Sequence, residues 1–173
     1  MPPEPCYSLG TVEVRVMPDD AAKLYDEDFY RWTQVQAAHL RALQAEAPDT
    51  PLDLENLAEE VESIGRELQL EVERQLRTVI EQALLIMHPL PGISHHAHEA
   101  DMLRARFEIE DRLTPTLRPL VEARLPELYK RARRSVIFKL EEQHQGTEGV
   151  PESCPFTLDQ LIDDNWFPVP SER

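Results

Sequence analysis

Apolar residues along most of the chain recur every three or four positions, which is the spacing of an amphipathic α-helix. The pattern is longest between Asp53, which can cap a helix, and Pro89, the next proline along the chain. This segment predicts one helix of about 35 residues, or ~50 Å. Its expected core positions are Leu54, Leu57, Val61, Ile64, Leu68, Val72, Leu76, Val79 or Ile80, Ala83 and Met87.

The same spacing predicts three more long helices, over residues 26–47, 94–113 and 119–145. Prolines and turn residues separate them, and Pro126 is expected to kink or restart the last one. Antiparallel helices joined by short turns favour an all-α, up-and-down four-helix bundle. We expect one helical-bundle domain over residues 24–173.

The two ends of the chain have different patterns. Thr157 and Gln160 form a capping box for a short C-terminal helix, "LDQLIDD". Residues 1–23 have no helical period, and "TVEVRVM" alternates valines with polar residues as a short strand does. A single strand is not stable alone, so we expect residues 1–23 to be an irregular extension, either loose or with one short strand.

Three strings carry a family resemblance: "LYDEDFYRW", "LDLENLAEEVESIGRE" and "CPFTLDQLIDDNWFP". They resemble, in the same order, the motifs of a bacterial helical family catalogued as domain of unknown function 29. The resemblance covers about residues 24–168 and implies an all-helical bundle without an assigned reaction. The N-terminal extension and a histidine cluster at residues 95–98 depart from the family's pattern.

The net charge of −15 is unevenly distributed. Residues 1–67 hold fifteen acids and five bases, whereas residues 101–140 hold six acids and ten bases. So acidic a chain is repelled by phosphate backbones and anionic lipids, which disfavours nucleic-acid and membrane binding. The local exception is a basic patch formed by Lys130, Arg131, Arg133 and Arg134. These cations either pair with acidic segments, within one molecule or across a dimer, or receive a phosphorylated or nucleic-acid partner.

Three observations favour a cytoplasmic protein, and the family resemblance implies a bacterial one. The longest uncharged apolar run, around "ALLIMHPLPGI", is too short for a membrane span, and "MPPEPCYSLG" has no signal-peptide pattern. The two cysteines, Cys6 and Cys154, are expected to be isolated thiols in a reducing compartment.

The string "LDLENLAEEVESIGRE" holds six carboxylates. At 100° per residue most of them face outward, and only border residues such as Glu60 and Glu62 can meet another helix, where arginines are expected. Gly65 lies near the core face in mid-helix, which predicts a packing notch for the close approach of a neighbouring helix or of a large aromatic ring, Trp32 or Trp166. We interpret the string as a solvated face rather than a metal or acid–base site.

The string "SHHAHE" is the candidate metal site. His95, His98 and Glu99 have the three- or four-residue spacing that lets side chains of one helix hold one ion, with His88 across the turn. These ligands suit zinc or nickel, and otherwise no cofactor is expected. The alternative is a set of exposed imidazoles without a specific ligand.

No catalytic residue is assigned, because the chain has no glycine-rich phosphate loop, nucleophile elbow or Cys/His set brought together by periodicity. A non-enzymatic role is favoured: a helical protein–protein interaction or regulatory module, acting on a protein partner or as a homo-oligomer. One alternative is a metal-binding bundle protein or metal-dependent enzyme using His95 and His98. Another is an acidic, antitoxin-like partner of a basic protein.

Overall fold

The structure is a computed structural model that describes residues 18–170, with side chains from residue 22. This part of the chain is all-α and contains no strand, which confirms the predicted fold class. None of its helices is long and apolar enough to cross a membrane. In chain order the helices are α1 (Pro18–Glu27), α2 (Phe29–Glu46), α3 (Leu54–Met87), α4 (His95–Glu110), α5 (Leu117–Glu142) and α6 (Leu158–Ile162).

Local capping signals set the starts of several helices, as the sequence predicted. The Ser94 side chain accepts a hydrogen bond from the Ala97 backbone at the start of α4. Thr157 and Gln160 make both bonds of a capping box at the start of α6. Helix α5 continues through Pro126 as one element.

The N-terminal boundary differs from the prediction. Helix α1 begins at Pro18, so the last residues of the expected extension are helical. Asp28 then separates α1 from α2, and its side chain caps α2 by accepting a hydrogen bond of 3.0 Å from the Arg31 backbone. The strand predicted from the alternating valines at 12–16 lies outside the described residues.

The chain divides into two compact units, Met1–Gly65 and Arg66–Arg173. The single domain over residues 24–173 stays a prediction. The division falls inside α3. Each unit has its own contacts and is described separately.

In the first unit, α2 runs antiparallel to the N-terminal part of α3. Gly65 lies against Thr33 early in α2, and Glu62 bonds Arg41 later in α2. Most of the buried positions here are small or β-branched, which permits a close approach of the helices. These are Thr33, Val35, Ala37, Ala58 and Gly65, and the other buried residues are Leu54 and the capping Asp28.

Two positions predicted for the core of this unit are wrong. Leu57 is 42% exposed and Ile64 is 44% exposed. Helix α2 packs over the side of α3 that carries Gly65, and Ala58 shares that side. The buried face of α3 is therefore the one that carries Ala58 and Gly65, and the larger side chains of Leu57 and Ile64 lie outside it.

In the second unit, the C-terminal part of α3, α4 and α5 run alternately up, down and up. His98 at the start of α4 bonds Gln82 near the end of α3, so these helices are antiparallel. Glu73 and Glu81 of α3 pair in order with Arg124 and Lys139 of α5, so α3 and α5 are parallel.

Candidate functional site

The strongest candidate site is a groove in the second unit, between α5 and the segment that precedes α6. Tyr129 is buried, and its hydroxyl donates a hydrogen bond of 2.7 Å to the Pro151 carbonyl. Arg133 donates from Nε to the same carbonyl at 2.7 Å and from Nη2 to the Val150 carbonyl at 3.3 Å. These bonds fix the segment against the helix, so the groove is part of the packed structure.

The groove has a volume of about 600 Å³. Three cations and one carboxylate, Glu152, line it together with apolar side chains, so its local charge is opposite to that of the chain. Its lining residues are Pro126, Tyr129, Lys130, Arg133, Arg134, Ile137, Glu152, Ser153 and Cys154.

The basic patch predicted at residues 130–134 has no carboxylate partner within the described part of the chain. Among residues 22–170, no acid lies within 4 Å of Lys130, Arg131 or Arg134, and Arg133 bonds only backbone carbonyls. Cations on either side along α5 are paired: Arg124 with Glu73, and Lys139 with Glu81. The patch is therefore the segment of α5 whose charge the structure leaves uncompensated.

The ionisable groups inside the groove are suited to binding rather than to reaction. Burial raises the pKa of the Tyr129 hydroxyl to about 12. Burial also raises the pKa of the Cys154 thiol, whose Sγ lies 3.4 Å from the Phe156 carbonyl. Both groups are protonated at neutral pH, and a protonated thiol is a poor nucleophile.

The histidines of the predicted metal site are arranged differently from the prediction. Glu99 bonds the Nδ1 of His96 at 2.8 Å rather than meeting His95 or His98. His98 is buried, and its Nδ1 lies 2.7 Å from Gln82 Oε1 while its Nε2 has no protein partner. Within residues 22–170, no group of three His, Cys, Asp or Glu side chains could hold a metal ion. Zinc or nickel binding by the histidine cluster stays a prediction.

The predicted notch at Gly65 is occupied by Thr33 of α2. A Cβ at Gly65 would lie 2.3 Å from Thr33 Oγ1 and 3.1 Å from Gln34 Nε2. The aromatic rings expected there lie elsewhere: Trp32 stacks on Phe29 in the first unit. Because α2 and α3 lie close together at Gly65, the small side chain of Thr33 is enough to fill the space between them.

The notch was also predicted to include Trp166, Glu62 and Glu60. Trp166 packs edge-on against Phe156 in the second unit, with ring centroids 5.5 Å apart. Glu62 meets the expected arginine, Arg41, at 2.5 Å. Glu60 is exposed, and no cation lies within 4 Å of it among the described residues. Within the first unit, Glu62 and Trp32 thus have neighbours other than Gly65, and a shared site with Trp166 stays a prediction.

Arg106 is a structural residue that the sequence reasoning missed. It lies on α4, only 1% exposed, and donates hydrogen bonds to the carbonyls of Leu161, Gln160 and Trp166. Its guanidinium also lies 5.1 Å from the centre of the Phe167 ring. The signal was present in the sequence, since Arg106 has the helical spacing of the apolar residues Met102 and Ile109, which face the core. The C-terminal segment is thereby attached to α4.

Comparisons with known proteins agree with this architecture. The family model described as "Domain of unknown function DUF29" matches residues 24–167. An α-helical protein of unknown function from Rhodospirillum rubrum, known from a crystal structure, is similar to the chain with a TM-score of 0.73 and 25% sequence identity. The match covers 82% of this chain and 90% of that one. No protein with curated annotation matches the chain.

Proposed function

Because the chain belongs to the family described as domain of unknown function DUF29, whose description names no activity, we propose a function from its surface: a protein–protein interaction module that binds through the basic groove of α5. The partner contributes an acidic segment. A cytoplasmic location in a bacterium is part of this proposal.

The observation that carries the proposal is the uncompensated charge of the basic patch. The chain has 33 acidic and 18 basic side chains, yet the cations at residues 130–134 have no acidic partner in the described structure. Exposed charges are stable in water, so the patch costs little in the free protein and is available to a partner of opposite sign. Arginine is enriched among the residues that dominate binding energies, and Phe138, four residues after Arg134 on the same helix, is 67% exposed.

A protein partner is favoured over a nucleic acid by the charge of the whole chain. A phosphate polymer carries many charges over a long distance and is repelled by the net charge of −15, whereas a short acidic segment interacts mainly with the groove. The apolar lining from Pro126 and Ile137 also suits a peptide side chain better than a phosphate.

One observation supports the acidic-partner alternative. The outward carboxylates Glu59 and Glu60 of α3 have no cation within 4 Å among the described residues, so they are available to a basic protein. This antitoxin-like role uses a different surface from the groove, and the two can be tested separately.

Site-specific photo-crosslinking in the native host tests the proposal. A photoreactive phenylalanine analogue at Arg134 is compared with the same residue at Ala100, which is exposed on α4 outside the groove. We expect a discrete protein adduct at Arg134 that is absent at Ala100 and decreases when Lys130 is changed to glutamate. Equal adducts at the two positions, or none at Arg134, would contradict the proposal.

A further inference from the structure

A second exposed surface of the chain has the opposite charge and a similar pattern. On α3, Leu57, Glu60 and Ile64 lie within about 60° of one another around the helix axis, and all three are exposed. We call these three residues the acidic stripe. It is a face of the first unit that combines two large apolar side chains with a carboxylate that has no cation within 4 Å in the described part of the chain.

The exposed face of α5 in the second unit mirrors this arrangement. Lys130, Arg131 and Arg134 precede the exposed Phe138 along α5 by eight, seven and four residues, and all four side chains are exposed. We call these four residues the basic surface. Like the acidic stripe, it combines apolar and charged side chains along one side of a long helix.

We propose that the partner at the basic surface is a second copy of this chain, whose acidic stripe packs side by side against α5. This rests on the proposed function, because the basic surface shares Lys130 and Arg134 with the groove and the proposal names the occupant. Leu57 and Ile64 then cover Phe138, while Glu60 meets the arginines. Charged residues flanking an apolar seam select the partner and its orientation when helices associate.

The acidic stripe and the basic surface complement each other because each leaves apolar area exposed to water. The acidic stripe exposes apolar area without a helix over it, and the basic surface exposes an aromatic ring without one. Contact removes both from water, which drives association, while opposite charges favour this pairing over two like surfaces meeting. The electrostatic part should weaken with salt, since screening shortens from ~10 Å at 0.1 M to ~3 Å at 1 M.

Sedimentation equilibrium of the full chain over a range of concentrations tests the inference. We expect reversible self-association of the natural protein, weakened on the order of tenfold by Glu60→Lys and by Arg134→Glu, because each places like charges together. An equimolar mixture of the two variants should associate again, since Arg134→Glu keeps the acidic stripe and Glu60→Lys keeps the basic surface. The double variant in one chain should also associate.

Glu59→Lys is the matched control. It changes the net charge as Glu60→Lys does, but Glu59 lies about 160° around α3 from Leu57 and outside the acidic stripe. It should leave the association constant unchanged. All substituted residues are exposed, and circular dichroism verifies that each variant folds.

The inference is overturned if the natural protein is monomeric at every concentration, if Glu59→Lys weakens association as much as Glu60→Lys, or if mixing the two variants restores nothing. A monomeric protein that still gives an adduct with another protein at Arg134 overturns the second copy and leaves the proposed function standing. A monomeric protein without any adduct there overturns both.

Discussion

Replacing Gly65 by alanine places a methyl group where the structure leaves no room for one. A Cβ there would lie 2.3 Å from Thr33 Oγ1, roughly 1 Å closer than van der Waals contact, and 3.1 Å from Gln34 Nε2. Either the Thr33 side chain rotates or α2 moves away from α3. Both responses loosen the closest helix contact described in the first unit.

Two effects of opposite sign determine the size of the change. Alanine in a helix interior is favoured over glycine by ~1 kcal/mol. Rotation of Thr33 breaks the 2.7 Å hydrogen bond from its hydroxyl to the Tyr30 carbonyl, at a cost of ~0.5–1.5 kcal/mol. Overpacking adds a cost of ~1–3 kcal/mol. We therefore expect Gly65→Ala to lower the free energy of unfolding by about 1–3 kcal/mol.

A double-mutant cycle with Thr33→Ala isolates the steric effect. That change removes Oγ1, and the remaining Cβ of residue 33 would lie 3.4 Å from the new methyl group, which the neighbours can accommodate. In the Thr33→Ala background Gly65→Ala should raise stability, by up to ~1 kcal/mol. The two changes should thus be coupled by about 2 kcal/mol or more.

Urea unfolding measures the four corners of this cycle. A Trp166→Phe background leaves Trp32, in the first unit, as the sole tryptophan of the chain, so its fluorescence reports the unit that contains Gly65. The steric argument is refuted if Gly65→Ala raises the midpoint equally in both backgrounds.

Three further predictions concern the second unit. Arg106→Ala removes hydrogen bonds to three carbonyls and should cost about 3–5 kcal/mol, measured by urea unfolding, and should expose residues 157–170 to limited proteolysis. Burial lowers the pKa of His88 and of His98, so the folded protein binds fewer protons than the unfolded chain; stability is full above pH ~6.5 and falls as the pH decreases below it. Unfolding midpoints at about pH 7.5 and about pH 5.5 measure this dependence. If the histidine cluster binds zinc, calorimetric titration should show binding that His95→Ala abolishes.

Each of these predictions has a control and a contradicting result. For Arg106, the control is Arg104→Ala, since Arg104 is exposed on the same helix. Equal urea midpoints for the two variants would show that the hydrogen bonds from Arg106 to the backbone carbonyls do not stabilise the fold. For the pH dependence, His98→Gln should make the unfolding midpoint vary less with pH. If the variation is unchanged, groups other than His98 cause it. For zinc, His144→Ala is the control, and affinity in the millimolar range or none in the natural protein removes the metal site.

The helices could be predicted because their signals are local. The caps at Ser94 and Thr157 join atoms three residues apart, so their geometry depends on the adjacent chain alone. The long pattern of α3 needs only a period, and its predicted limits agree with the observed Leu54–Met87. The basic patch could also be predicted, because its four cations lie within five consecutive residues of the sequence.

The neighbours of each helix could not be predicted in the same way. Leu57 and Ile64 have the right spacing for a core face, yet they are exposed because α2 lies over the Gly65 side of α3. Arg106 looked like one of many arginines, and its burial depends on carbonyls at least 54 residues away along the chain.

The sequence by itself thus determined the helical class, most helix limits and the charge of each segment, since periodicity, capping and composition act over one or two helical turns. Only the tertiary structure decided which apolar face is covered and which cations are compensated, because those depend on the side chains that a helix meets from distant parts of the chain. Lys130 and Lys139 lie nine residues apart on α5, and the fold gives a carboxylate partner to Lys139 alone. That difference is what makes the groove of α5 a candidate binding surface.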